Sequence, residues 1–174
     1  CGSRRPTRIR KGAARGQGAA PLHRQGNGRG HCPRRIGKRR QRIGLDTNVL
    51  VRYLTRDAPE QYRAAKAFIE STCTQENPGV IGPVVLCELV WVLTGAYDAT
   101  RAEVARVVDQ LLRTRQLVVQ DRDVVRRALA DYQSSSADFA DCLIGRMNQE
   151  AGCTETVTFD RSAAALDSWR ELGA

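Results

Sequence analysis

Five carboxylates stand where this chain could do chemistry: Asp46, Glu88, Asp138, Asp141 and Asp160. Asp46 follows the short apolar run Ile43-Gly44-Leu45, and Asp160 follows Thr156-Val157-Thr158-Phe159. A carboxylate just past the carboxyl end of a strand lies where open α/β sheets build their sites. Helix capping or an Asx turn accounts for either one alone, whereas the pair points to a site. Glu88 is embedded in Val84-Val85-Leu86-Cys87-Glu88-Leu89-Val90-Trp91-Val92-Leu93, apolar on every side of a helix. A carboxylate buried there is costly unless paired or bound to a cation, and the competing reading turns it to water. Trp91 reads as core rather than as a surface for stacking bases. Asp138 and Asp141 fall on neighbouring positions of one helix face. Capping and the helix dipole account for Asp138, while Asp141 runs into a tight apolar stretch and takes the functional reading.

Both histidines, His23 and His31, precede residue 43, so the rest of the chain has none. That excludes Ser-His-Asp and Cys-His nucleophile systems and H-E-x-x-H zinc sites. Neither G-x-x-x-x-G-K-[ST] nor G-x-G-x-x-G occurs beyond residue 42, where the only lysine is Lys66. Carboxylates with no His or Cys beside them suit a hard cation, Mg²⁺ or Mn²⁺. The reaction such a site fits is phosphodiester hydrolysis, in which the cation acidifies water and neutralises charge on the phosphate.

The elements that must position these acids follow from periodicity. Ile43 to Leu45 reads as a strand, and Val49, Leu50, Tyr53 and Leu54 recur at helical spacing after it. A second helix opens around Asp57, Pro59 and Glu60, with Tyr62, Ala65, Phe68 and Ile69 on one face. Gly79 to Ile81 is the next strand, and Pro83 starts the helix that carries Glu88. Thr100 and Glu103 form a capping box ahead of Val104, Val107, Val108, Leu111 and Leu112. Gln116 to Gln120 is a strand, Asp121 caps a helix through Tyr132, and a helix from Ala137 to Ala151 ends at Gly152. The strand Thr156 to Phe159 leads into Asp160 and a closing helix through Leu172. Strands alternating with helices predict a parallel sheet covered on both faces.

Charge divides the 174 residues unequally. Residues 1–42 hold 14 of the 28 Lys and Arg, no Asp or Glu and 8 of the 15 Gly, while residues 43–174 hold the other 14 basic residues against all 19 acidic ones. The first segment, at +14, is too poor in apolar residues to fold and is expected to be disordered. Arg34-Arg35-Ile36-Gly37-Lys38-Arg39-Arg40-Gln41-Arg42 suits a nucleic-acid arm. An extension foreign to the native protein explains it equally well, because the segment starts with Cys and lacks every acid and aromatic. The second segment, at −5, has the size of one domain. Six cysteines without a C-x-x-C pair suggest a reduced, cytoplasmic protein. The most apolar stretch, Val80 to Leu93, is interrupted by Pro83 and Glu88 and is too short to span a membrane.

Ile43-Gly44-Leu45-Asp46-Thr47-Asn48-Val49-Leu50, Glu88 in its apolar helix, Ala140-Asp141-Cys142-Leu143-Ile144-Gly145 and Thr158-Phe159-Asp160, in that order, resemble the PIN-domain ribonucleases. Within that family the chain most resembles the VapC-type toxins of bacterial toxin–antitoxin pairs, over residues 43–174. The resemblance implies a three-layer α/β/α sandwich with a central parallel sheet and an Mg²⁺- or Mn²⁺-dependent endoribonuclease. It implies a site built from Asp46, Glu88, Asp141 and the more variable Asp160, with Asp138 as an additional candidate ligand. Thr47 and Asn48 match the polar residues that brace the first acid, and Thr158 matches the support for the last. Cys142 and Gly145 stand where the family usually has Ala. A small antitoxin that blocks the site, an RNA substrate and a homodimer are the implied partners.

An acidic domain needs a local basic rim to hold RNA, for which Arg52, Arg56, Arg146 and Arg161 are the candidates. The alternative is a non-catalytic PIN-like module that binds RNA or a partner and uses these acids only as caps. A nuclease for flapped DNA ranks last, since the chain lacks the length for a helical clamp.

Overall fold

The computed structural model describes residues 41–173. The expectation of a disordered basic tail falls on residues 1–40, outside the described ones. β1 (Ile43–Gly44), β2 (Gly79–Ile81) and β3 (Leu117–Val119) form a parallel sheet in that order. Ile43 pairs with Gly79, and Val80 pairs with Val118. Parallel register brings all three carboxyl ends to one edge. Asp46 therefore leaves β1 on the same edge from which β2 passes through Gly82 into the helix carrying Glu88.

Helices flank this sheet: α1 (Thr47–Thr55), α2 (Pro59–Ala67) continued by a π turn at Phe68–Thr72, α3 (Pro83–Ala96), α4 (Arg101–Arg113), α5 (Arg122–Ser134) and α6 (Phe139–Glu150). The capping box forms as expected: Glu103 N–H donates to Thr100 Oγ1, and Thr100 N–H donates to Glu103 Oε2 at 2.8 Å. Val104, Val108, Leu111 and Leu112 below it are buried. Tyr132 and Phe139 meet edge-to-face at 5.8 Å, and Arg101 stacks over Tyr132 at 3.8 Å while donating to the Tyr132 carbonyl. That stack holds the turn between α5 and α6, and so the start of the helix that carries Asp141. Cys73, Cys87, Cys142 and Cys153 are free thiols. Among the described residues no helix is long and apolar enough to cross a membrane.

Four local expectations are corrected. Asp57 does not open α2; its carboxylate takes both Arg52 Nη1 at 2.7 Å and the Tyr97 hydroxyl at 2.5 Å instead. Asp121 occupies the position before α5 but at φ 50° and with no side-chain capping bond. The closing helix through Leu172 does not exist. The chain makes only α7 (Arg161–Ala164), turns at Ser168 with φ 63°, and forms β5 (Trp169–Glu171), which pairs in parallel with β4 (Thr156–Thr158). The Leu172 N–H donating to the Thr158 carbonyl at 2.7 Å extends that ladder. Trp91, expected in the core, is 74% exposed. α3 is apolar on every side, its buried face is taken by Leu86, Leu89, Val90 and Leu93, and Val84 and Trp91 are left outside.

α6 carries Gly145 against the C-terminal pair of strands. A Cβ there would lie 2.3 Å from Nε1 of Trp169, so the indole rests directly on the backbone of the helix.

Candidate active site

Thr47, the first residue of α1, is 3% exposed and is the one buried polar residue among the described ones. A buried hydroxyl needs a partner, and Thr47 Oγ1 donates to Glu88 Oε2 at 2.5 Å. This bond ties the end of β1 to the second turn of α3 and aims the exposed Glu88 carboxylate at that end of the sheet. Asp46, exposed, precedes α1 without making a side-chain capping bond, so its carboxylate is not consumed by the helix. Asn48 Nδ2 donates to Asp46 Oδ2 at 3.3 Å. Of the two bracing residues, Asn48 thus touches Asp46, whereas Thr47 touches Glu88.

Across the site, Asp138 occupies the N-cap position of α6 but also makes no side-chain capping bond. Asp141 lies in the first turn, half-buried. Burial pushes its carboxyl above the ordinary carboxylate value, and the charges of Asp138 and then Asp160 push it further. Asp160 has come from β4 into electrostatic reach of α6. Its own carboxyl is held below the ordinary value, chiefly by the Ser162 hydroxyl and then the Ser162 N–H, which donate to Oδ1 at 2.6 and 2.7 Å. Thr158 Oγ1 accepts the Asp160 N–H at 2.9 Å and shapes that turn.

Charge coupling thus joins Asp141 to Asp138 and Asp160, while Asp46 and Glu88 are held by Asn48 and Thr47 at the start of α1, so the acids fall into two groups by what holds them. Among the described residues no three His, Cys, Asp or Glu side chains are close enough together to hold an ion. Among the described residues no protein cation neutralises either group. The ion pairs among the described residues engage Asp57, Glu103, Asp109, Glu150, Asp131, Glu171 and Glu155, and none of the five candidate acids.

The expected basic rim is largely spent. Arg146 forks onto Asp131 with bonds of 2.6 and 2.7 Å, and Arg52 is bound to Asp57. Arg161 faces Glu171 at 3.5 Å, and Arg56 lies 5.3 Å from the Tyr62 ring. Arg52, Asn48 and Gln61 also line a mostly apolar groove of about 640 Å³ between α1 and α2, with Leu45, Val49 and Phe68 among its walls.

A parallel sheet flanked by helices, with uncompensated carboxylates past the ends of its strands, is an α/β domain with an acidic site. Residues 43–168 match the PIN domain, and the chain belongs to the PIN-domain family. PIN domains are typically nucleases, and divalent metal ions are what they generally use. No curated protein matches the chain.

Proposed function

We propose that this PIN domain is an Mg²⁺- or Mn²⁺-dependent endoribonuclease and the toxin of a toxin–antitoxin pair. The observation that carries the metal dependence is the set of five carboxylates left without a cation partner among the described residues, with Asp141 raised by burial and by its anionic neighbours. An all-oxygen, uncompensated donor set fits a hard dication rather than zinc or copper. Asp46, Glu88, Asp141 and Asp160 would hold it, with Asp138 as a further candidate ligand. When bound, the cation supplies Lewis acidity toward a phosphate oxygen and a water. The rest of the work falls to the chain: Thr47 fixes Glu88, Asn48 orients Asp46, and the shallow strand end at Thr158 delivers Asp160. The apolar groove beside Asn48 gives an antitoxin segment a place to lie next to Asp46.

That no three acids cluster closely enough to share an ion among the described residues favours one competing reading, a non-catalytic RNA- or partner-binding module. Incubation of purified protein with RNA in Mg²⁺ or EDTA decides between them. Cleavage in Mg²⁺, abolished by EDTA and reduced at least about 100-fold in Asp46→Asn, is the expected result. Cleavage that survives EDTA overturns the metal mechanism. Growth inhibition in cells that survives alanine at Asp46, Glu88 and Asp141 together favours the binding module.

A further inference from the structure

Helix α6 starts without the bond that usually fixes a helix start. Asp138 stands at its N-cap, where a carboxylate commonly accepts a first-turn N–H, yet it makes no side-chain capping bond. The entry is held from α4 instead. Arg101, half-buried, donates Nε and Nη2 to the Tyr132 carbonyl at 3.0 and 2.7 Å, and Nη2 to the Ala137 carbonyl at 2.5 Å. The first is one of the carbonyls that α5 leaves unpaired at its C-terminal end, and the second lies just before Asp138. Ala137 is buried, and its N–H donates to Ser135 Oγ at 3.3 Å. The carbonyl of Ala137 and the N–H of Asp138 belong to one rigid peptide plane. Fixing that oxygen from α4 therefore fixes the direction in which Asp138 enters the helix, and Asp141, in the first turn, follows it.

A guanidinium is a costly group for closing a turn. Half-buried, it loses hydration, and among the described residues no carboxylate pairs with it. Nor does it serve the acids as a counter-charge: Asp141 is raised by burial and then by Asp138 and Asp160, and Arg101 is not among the groups that act on it. What the planar fork does is reach two carbonyls at once, one on each side of the α5–α6 turn. We infer that Arg101 is a positioning residue for the dication: by holding the Ala137 peptide in place of an N-cap bond, it leaves the Asp138 carboxylate free and sets where Asp138 and Asp141 stand relative to Asp160. A small dication demands near-ideal placement of its oxygens, so its affinity responds to that spacing. This rests on the nuclease reading and adds to it a residue outside the five acids on which metal affinity depends.

The test compares three variants of the full chain with wild type. Arg101→Lys keeps the charge and loses the fork. Ser135→Ala loosens the same peptide from its N–H side with Arg101 intact, and so serves even where Arg101→Lys does not fold. Arg122→Lys is the control, because Arg122 Nη2 holds the Leu112 carbonyl at the other end of α4. Mn²⁺ binding without RNA is measured by titration calorimetry at a temperature where every variant is folded, and RNA cleavage in Mg²⁺ gives kcat and KM. Arg101→Lys is expected to weaken Mn²⁺ binding about 10- to 100-fold and to lower kcat with KM for RNA unchanged. Ser135→Ala should move both in the same direction by less, and Arg122→Lys should leave Mn²⁺ affinity within twofold of wild type. Mn²⁺ affinities of Arg101→Lys and Ser135→Ala both within twofold of wild type overturn the inference. So does an equal loss in Arg122→Lys, which would make the effect a general loosening of α4. Wild-type protein that binds Mn²⁺ and cleaves no RNA overturns the nuclease reading alone, and wild-type protein that binds no Mn²⁺ overturns both.

Discussion

The two borders of the acidic site are built in opposite ways. On the β1 side, Asp46 and Glu88 are positioned from below: Leu45, Leu50, Leu86 and Leu89 are all buried, and Thr47 reaches across to Glu88 from inside the core. On the β4 side, Asp160 sits at the end of a shallow strand whose residues are half-buried or exposed, and it is held by its own next turn through Ser162. The first border is fixed by packing that extends through the whole domain. The second is fixed by two local hydrogen bonds that any competing partner of the carboxylate can replace. A site with one stiff and one adjustable border can admit a ligand and then tighten on it.

That contrast breaks if the two borders answer equally to loss of side-chain volume. Leu50→Ala, at a fully buried position of α1, is expected to cost about 2–5 kcal/mol in urea unfolding. Val157→Ala, on half-exposed β4, should stay within about 0.5 kcal/mol of wild type. Equal losses would show that β4 is as deeply integrated as β1.

A smaller effect sharpens the comparison at the carboxylates themselves. Thr47→Val keeps the volume but removes the donor to Glu88, at a cost of about 1.5 kcal/mol, the low end for a charged partner because Glu88 can turn to water. RNA cleavage should fall with it. Ser162→Ala should instead let the Asp160 carboxyl rise toward its ordinary value, since the lost hydroxyl is the main cause holding it down. NMR titration of side-chain carboxyls reads this directly.

The smallest effect concerns Asp138. A carboxyl raised in the folded state binds its proton more tightly there than in the unfolded chain. Asp141 therefore costs stability as pH climbs from the ordinary carboxylate range through its raised value. Asp138→Asn removes one of the raising charges, so the neutral-pH protein should gain about 0.2–0.5 kcal/mol and lose part of that pH slope. Burial, the larger cause, stays in place, so melts at several pH values should show the slope reduced rather than abolished.

Legibility from sequence followed the physics of each segment. Strand ends before Asp46 and Asp160 were legible because a short apolar run cut by a polar turn has few other solutions. The Thr100–Glu103 box was legible because it is a local bond pattern. The orientation of α3 is not legible: with apolar residues on every side, its periodicity cannot say which face the core takes, and Trp91 reads as core although it is exposed. β5 is not legible because the segment from Leu166 to Leu172 also fits a helix, and only the left-handed turn at Ser168 turns Trp169–Glu171 into a strand. The pairing of Arg52 and Arg146 with Asp57 and Asp131 depends on tertiary placement that spacing does not encode. The grouping of the five acids is of the same kind.

The seat of Trp169 on Gly145 restricts the order in which this chain can change. A methyl at 145 has no room while the indole is present, so Gly145→Ala alone should fail where the same change after Trp169→Leu succeeds. The two positions behave as a single genetic unit although they lie on different elements. Gly at 145, which looks like a departure from the family pattern when read by itself, is half of a two-residue exchange whose other half is a bulky ring near the carboxyl end.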